Sequence, residues 1–208
     1  MRIVTLIAIL IPLAASAQPA PQIDAARVDT VVAATFPTKD PAWSSRVTQD
    51  ETQRQCSMTR NDPPSAMFDE IRARELATIR MPADGTVLGD WKRGEDIAQN
   101  GRGNQFSDAP NTQAGGNCYA CHQMAPAELS YGTLGPSLVG YGRDRQFAPA
   151  ETRAAYAKIW NAQSVMPCSM MPRFGHNGVL TEQQVKDSVA YLFDPASPVN
   201  KPASPVNK

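Results

Sequence analysis

Gly116-Asn117-Cys118-Tyr119-Ala120-Cys121-His122 is the most informative run in this chain. Its two thiols stand three residues apart, the spacing that fits the two vinyl groups of a haem, and the histidine that follows can reach the iron. Cys-x-x-Cys-His is the attachment pattern of c-type haem. Two other chemistries use a Cys-x-x-Cys pair. A thioredoxin-like redox pair would follow a buried apolar strand, whereas Gln113-Ala114-Gly115-Gly116-Asn117 is a polar, glycine-rich loop. A zinc site needs two more ligands, and Cys56, Cys168 and His176 are scattered along the chain. The run therefore points to one covalently bound haem c on Cys118 and Cys121, with His122 as an axial ligand to the iron.

Composition and the N-terminus say where such a protein would work. The 208 residues carry 20 basic and 20 acidic side chains, a balance that excludes a nucleic-acid partner or a polybasic membrane surface. The length suits one domain with an extension, or two small ones, and 18 prolines predict long ordered loops. Residues 1–17 read as an export signal: Arg2, an apolar run from Val4 to Leu13, then Ala15-Ser16-Ala17 before Gln18. The apolar run is too short to span a bilayer, so the expectation is a periplasmic protein with no membrane insertion after signal cleavage. The four cysteines then divide in two. Haem takes Cys118 and Cys121, and an oxidising compartment leaves Cys56 and Cys168 to pair as a disulfide.

The elements around the motif read as helices. Val28, Val31, Val32 and Thr35 recur at helical spacing over 23–35 and Pro37 ends the pattern, while 36–64 reads as irregular. A helix is expected over 65–79, with Phe68, Ile71, Glu75 and Ile79 on one side. Residues 18–85 are thus expected to form an N-terminal extension docked on the core. From Asp90, a natural N-cap, a short helix carries Trp91, Gly94, Ile97 and Ala98 on its inner side. Gly94 costs about 1 kcal/mol relative to Ala inside a helix, which implies close approach by another element. A third helix fits 150–162, with Tyr156, Ile159 and Trp160 inward. The last helix has a capping box, Thr181 with Gln184, a staple of Leu180 on Val185, and Pro195 to close it. Residues 195–201, Pro-Ala-Ser-Pro-Val-Asn-Lys, repeat identically as 202–208 and read as a flexible tail.

Two loops supply the remaining candidates. An iron-bound imidazole commonly donates its second ring N–H to a fixed carbonyl, and Pro136, in Leu134-Gly135-Pro136-Ser137-Leu138, is the candidate acceptor. Haem iron held by His and Met is the cytochrome c arrangement. Met166, Met170 and Met171 share one loop, and Met171 is favoured because Pro172 stiffens the chain after it and Phe174 can pack nearby. Met170 and then Met166 are the alternatives, and His176 is the one other histidine that could give bis-histidine ligation.

In this order, the motifs of residues 86–194 resemble a class I cytochrome c, an all-α fold preceded here by a helical extension. The resemblance implies that the first and last helices of the domain cross closely, with Gly94 against Tyr191. A narrower likeness rests on Met171-Pro172-Arg173-Phe174-Gly175-His176-Asn177-Gly178-Val179-Leu180-Thr181, on the long extension and on the ending Asp194-Pro195-Ala196-Ser197-Pro198-Val199-Asn200. These are similar to the SoxX family, the monohaem subunits of the SoxAX cytochromes of bacterial sulfur oxidation. That likeness implies a SoxA partner in a heterodimer, the SoxYZ carrier as substrate of the complex, and a downstream electron acceptor. It also implies Cys118 and Cys121 as haem attachment sites, and His122 and Met171 as iron ligands. The competing expectations are a free-standing periplasmic electron carrier and an open-site haem enzyme whose methionine loop does not ligate.

Overall fold

The structure is a computed structural model that describes residues 24–36, 46–105, 107–109 and 111–202. The expected export signal, residues 1–17, and the second heptapeptide beyond Pro202 lie outside the described residues. Every regular element among the described residues is an α-helix or a short 3-10 turn. None of these helices is long and apolar enough to cross a membrane. The chain forms two compact units that meet in sequence at Thr48 and Gln49. In the first, helix α1 (Ala25–Thr35) begins where the Asp24 carboxylate accepts from the backbone N–H groups of Ala26 and Arg27, at 3.0 and 3.4 Å. None of its residues is buried.

The second unit holds α2 (Glu51–Met58), α3 (Ser65–Leu76), α4 (Trp91–Gln99), α5 (Tyr141–Asp144), α6 (Pro149–Trp160) and α7 (Glu182–Phe193). Three 3-10 turns, Cys118–Ala120, Ala162–Ser164 and Pro198–Asn200, lie between and after them. Helix α7 runs through the middle. Its capping box is formed by Thr181 and Gln184, and Val185 and Val189 are fully buried. Helix α4 crosses it at Gly94, where a Cβ would stand 2.1 Å from the Asp187 carbonyl oxygen and 2.8 Å from the Tyr191 Cβ. Only a glycine lets the two backbones come that close. Helix α6 packs on the other side of α7, and its Tyr156 and Trp160 rings stack at 5.8 Å.

Three features differ from what the sequence suggests. Residues 36–64 are not irregular throughout, because α2 lies inside that range. Its apolar periodicity is absent, and what holds it is a capping box between Asp50 and Gln53 together with the burial of Thr52 and Cys56. The helix expected over 65–79 ends at Leu76, and 77–79 leave it through backbone turns. The first copy of the terminal heptapeptide is a folded element. Val199 and Ser197 are fully buried, and Asn200 accepts from the backbone N–H groups of Gly142 and Arg143 while donating to the carbonyls of Leu192 and Asp194. One asparagine thereby satisfies the start of α5 and the end of α7, which a composition-based reading of a Pro/Ser tail does not reveal.

Asp187 locks the α4–α7 crossing. Its buried carboxylate accepts from the backbone N–H of Asp90 at 2.8 Å, from Gln183 at 2.8 Å, and from Arg93 at 2.9 and 3.1 Å. Burial alone would raise its pKa, but these hydrogen bonds and the Arg93 charge together hold it below the ordinary 3.8. A carboxyl lowered in the folded state stabilises the fold above pH 3.8 and loses that contribution as pH falls through its lowered value. Asp187→Asn should therefore cost about 2 kcal/mol at neutral pH, measured by denaturant unfolding. It should also flatten the acid limb of the stability profile below pH 4, and an unaltered acid limb would contradict the role given to Asp187.

Candidate haem site

The attachment motif is shaped by its neighbours. Asn117 takes a left-handed backbone conformation (φ 46°) and opens the 3-10 turn Cys118–Ala120. The backbone N–H groups of Cys121 and His122 both donate to the Cys118 carbonyl, at 3.1 and 2.9 Å. This turn presents the two thiols side by side, and both are unpaired cysteines. Tyr119, between them, brings its hydroxyl to 2.7 Å from that of Tyr191, so the motif is tied to α7. Burial pushes the Cys118 thiol up to about 12. A reactive thiol in a redox Cys-x-x-Cys pair has a lowered pKa, the opposite of the direction at Cys118. Among the described residues, no three His, Cys, Asp or Glu side chains gather as a metal cluster.

The His122 ring is fixed from two directions. Its Nδ1 lies 2.7 Å from the Pro136 carbonyl oxygen, and since that oxygen can only accept, Nδ1 carries the proton and donates. Nε2 is left with its lone pair, the form that binds iron. Gly135 lies flat beneath the ring: a Cβ there would stand 2.1 Å from Cε1 and 2.4 Å from Nδ1. Gly135 in turn donates its backbone N–H to the Cys121 carbonyl at 2.8 Å.

The three methionines of the 164–175 loop are placed differently. Met166 and Met170 are 53% and 80% exposed. Met171 is half-buried and packs against the main core, together with Cys118, Tyr119 and Leu138. Among the three it is the one thioether packed against the core. His176 is exposed and is not held in the core. Its backbone N–H donates to the Trp160 carbonyl at 3.0 Å.

The loop is gripped on both sides of Met171. A disulfide joins Cys56 in α2 to Cys168, three positions before Met171. Cys168 sits in the left-handed region (φ 61°), where a non-glycine residue is strained. Its backbone N–H donates to the Gln163 side chain, which also donates to the Ser169 carbonyl at 3.0 Å, and the Ser169 hydroxyl accepts from the Met171 N–H at 3.2 Å. Two positions after Met171, the buried guanidinium of Arg173 reaches Asp50 and Glu75. Glu75, 4% exposed, also accepts from Thr52 and from Asn161. Burial works to raise its pKa, but the hydrogen bonds from Thr52 and Asn161 and the Arg173 charge win and hold it below 4.5. Sequence reading assigned no role to Arg173, Asn161 or Gln163. An arginine within an otherwise apolar segment was the available signal, since arginine is almost never fully buried without a partner.

The residues fit a haem. Two thiols and the His122 ring, oriented by Pro136, stand together on the attachment turn, and Met171 is the half-buried thioether of the 164–175 loop. The buried indole N–H of Trp160 has no acceptor among the described residues, a defect that a carboxylate-bearing group such as haem would repair. Exposed Leu134, beside Gly135, is apolar area that such a group could shield. Gly135→Ala should push the His122 ring off the Pro136 carbonyl. Loss of a supporting hydrogen bond of this kind lowers metal affinity about 10–100-fold. With the haem held covalently by Cys118 and Cys121, the expected result is a high-spin fraction in the absorbance spectrum of the purified holoprotein, and a native low-spin spectrum would refute the packing argument.

Comparison with known proteins agrees with this geometry. The cytochrome c family matches residues 92–194, from the start of α4 to the end of α7. An uncharacterized lipoprotein of Aquifex aeolicus (strain VF5) is 40% identical over 157 residues, which is 74% of this chain and 73% of that protein. A Cys118/Cys121 pair within a cytochrome c domain implies haem c. The chain carries a cytochrome c family domain at 92–194, preceded by additional N-terminal helices in an all-helical protein.

Proposed function

We propose that this chain is the monohaem electron-transfer subunit of a SoxAX-type cytochrome, with His122 and Met171 as the axial ligands of one haem c. The observation that carries the reading is the grip on the Met171 loop from both sides, by the Cys56–Cys168 disulfide and by Arg173 on Asp50 and Glu75. A methionine held in this way favours a closed iron with no position for substrate, and so electron transfer over an open-site enzyme. Bound haem would supply a one-electron redox centre. The protein's part is to orient His122 through Pro136, to tie the attachment turn to α7 through Tyr119 and Tyr191, and to keep Met171 in place.

In the proposed complex, substrate chemistry belongs to a SoxA partner subunit, and the overall activity is that of an L-cysteine S-thiosulfotransferase. A cysteine thiol of the SoxYZ carrier loses its proton to water. Its sulfur then forms an S–S bond with the outer sulfur of thiosulfate, and two electrons leave, one at a time, toward a downstream electron acceptor. The sulfur substrate rests on the likeness of residues 171–181 to SoxX. An extracytoplasmic setting is supported by c-type haem chemistry and by the lipoprotein name of the Aquifex relative. A periplasmic location follows from the expected export signal.

The other reading is a carrier that diffuses on its own. The helices before the cytochrome domain favour a subunit, because Met58, Leu76 and Met81 there are large apolar side chains left 40–56% exposed. An obligate interface commonly buries about 2,000 Å2 or more in total, and such side chains offer part of that area. Tagged protein taken from native periplasm should co-purify in equal amounts with a second haem-staining chain, and the pair should show haem reduction that depends on thiosulfate and the carrier. A lone monohaem chain reduced by general donors would establish the free carrier instead.

A further inference from the structure

The cytochrome c match begins at residue 92, yet the contacts around Met171 lead back to α2 and α3. Two polar paths converge on Glu75 of α3. One runs from its carboxylate to Asn161 at 2.6 Å, from the Asn161 side chain to the backbone N–H of Gln163 at 3.1 Å, and from the Gln163 amide to Cys168 and Ser169. Ser169 then accepts from the N–H of Met171 itself. The other path runs from Glu75 to the Arg173 guanidinium at 3.4 Å, and Asp50, the N-cap of α2, takes the second arm of Arg173. Arg173 is 5% exposed, so its charge has no water to fall back on.

The space beside this network is not filled by apolar packing. A cleft of about 350 Å3 is lined by Gln53, Cys56, Gln163, Cys168, Met171 and Arg173, among others. The loop therefore has room to withdraw on that side. What opposes withdrawal is the disulfide and the pull of the buried carboxylate on both flanks of Met171.

We infer that Glu75 and Arg173 are positioning residues for the iron-ligating methionine, so that helices outside the cytochrome c domain set how firmly its sixth ligand is held. The inference rests on Met171 as that ligand. With the network intact, Met171 stays seated. With Arg173 removed, Glu75 is a buried carboxylate without its ion pair. With Glu75 removed, Arg173 keeps only the half-exposed Asp50. In both cases the loop relaxes into the cleft, and the fraction of molecules open to an external ligand rises. Apparent affinity for such a ligand follows that fraction directly.

The test uses ferric holoprotein and imidazole as the external ligand, with two readouts: the near-infrared iron–methionine charge-transfer band and the imidazole dissociation constant. Glu75→Gln and Arg173→Gln should each weaken the band and tighten imidazole binding about tenfold or more, with haem content unchanged. Arg173→Lys should recover most of the band. The double variant Glu75→Gln/Arg173→Gln removes both charges and supplies a folded comparison if a single one fails to accumulate. Arg145→Gln, which removes the ion pair to Glu151 and the contact over the Tyr141 ring, controls for general destabilisation and should leave both readouts as in the native protein. The inference is overturned if the network variants keep native band and affinity, or if Arg145→Gln shifts them equally. Absence of the band from the native protein itself would instead remove the His/Met assignment, and the positioning role with it.

Discussion

A carboxylate buried away from water must be paired or neutralised, and the Glu75 carboxylate meets that constraint by drawing four parts of the chain to one point. Thr52 comes from α2, Asn161 from the end of α6, Arg173 from the methionine loop, and Glu75 itself from α3. None of these is an apolar contact, and each fixes direction as well as proximity. The second, small hydrophobic cluster of Cys56, Ile71 and Cys168 lies on the same helices and adds the covalent link. The methionine loop thus depends on residues far from it in sequence. Cys56 and Cys168 are 112 positions apart, and closing a loop of that size restricts the unfolded chain by about 4–5 kcal/mol in the chain-entropy view.

The cytochrome domain itself is organised by a different constraint, the backbone approach at Gly94. That contact makes α4 and α7 a single support, and Tyr191 carries it onward to Tyr119 within the attachment motif. One side of the site, the thiols and His122, is therefore built from the α4–α7 crossing and the Gly135-Pro136 turn. The methionine loop around Met171 is supported instead from α2, α3 and the turn Ala162–Ser164. In the proposed His122/Met171 centre, two separately supported ligand segments would suit a closed, preorganised iron, in which little has to move when an electron arrives or leaves.

Much of this was legible in the sequence, and the pattern of what was not is physical. Capped or strongly amphipathic elements announced themselves. Asp90 and the Thr181/Gln184 box marked α4 and α7, and Gly94 was a glycine in a place where only close packing explains it. Pro136 and Gly135 were readable because turn chemistry is local. The misses were all long-range. Helix α2 is too polar to show a periodicity, and its burial depends on Thr52 meeting Glu75 across 23 residues. The first heptapeptide copy looks like linker, and Asn200 becomes structural only when α5 and α7 present backbone groups to it. Arg173 had no role readable from sequence, because its partners lie 98 and 123 positions away. Composition and spacing carry no record of such pairings.

The most direct test of the account is the ferric near-infrared spectrum of the holoprotein with and without the Cys56–Cys168 link, comparing the native chain with Cys56→Ser/Cys168→Ser. If the N-terminal helices hold the ligand loop, the native protein shows the iron–methionine band and the unlinked variant shows it weakened, with faster cyanide binding at equal haem content. An unlinked variant with a native band and native cyanide kinetics would mean that Met171 needs no support from α2 and α3.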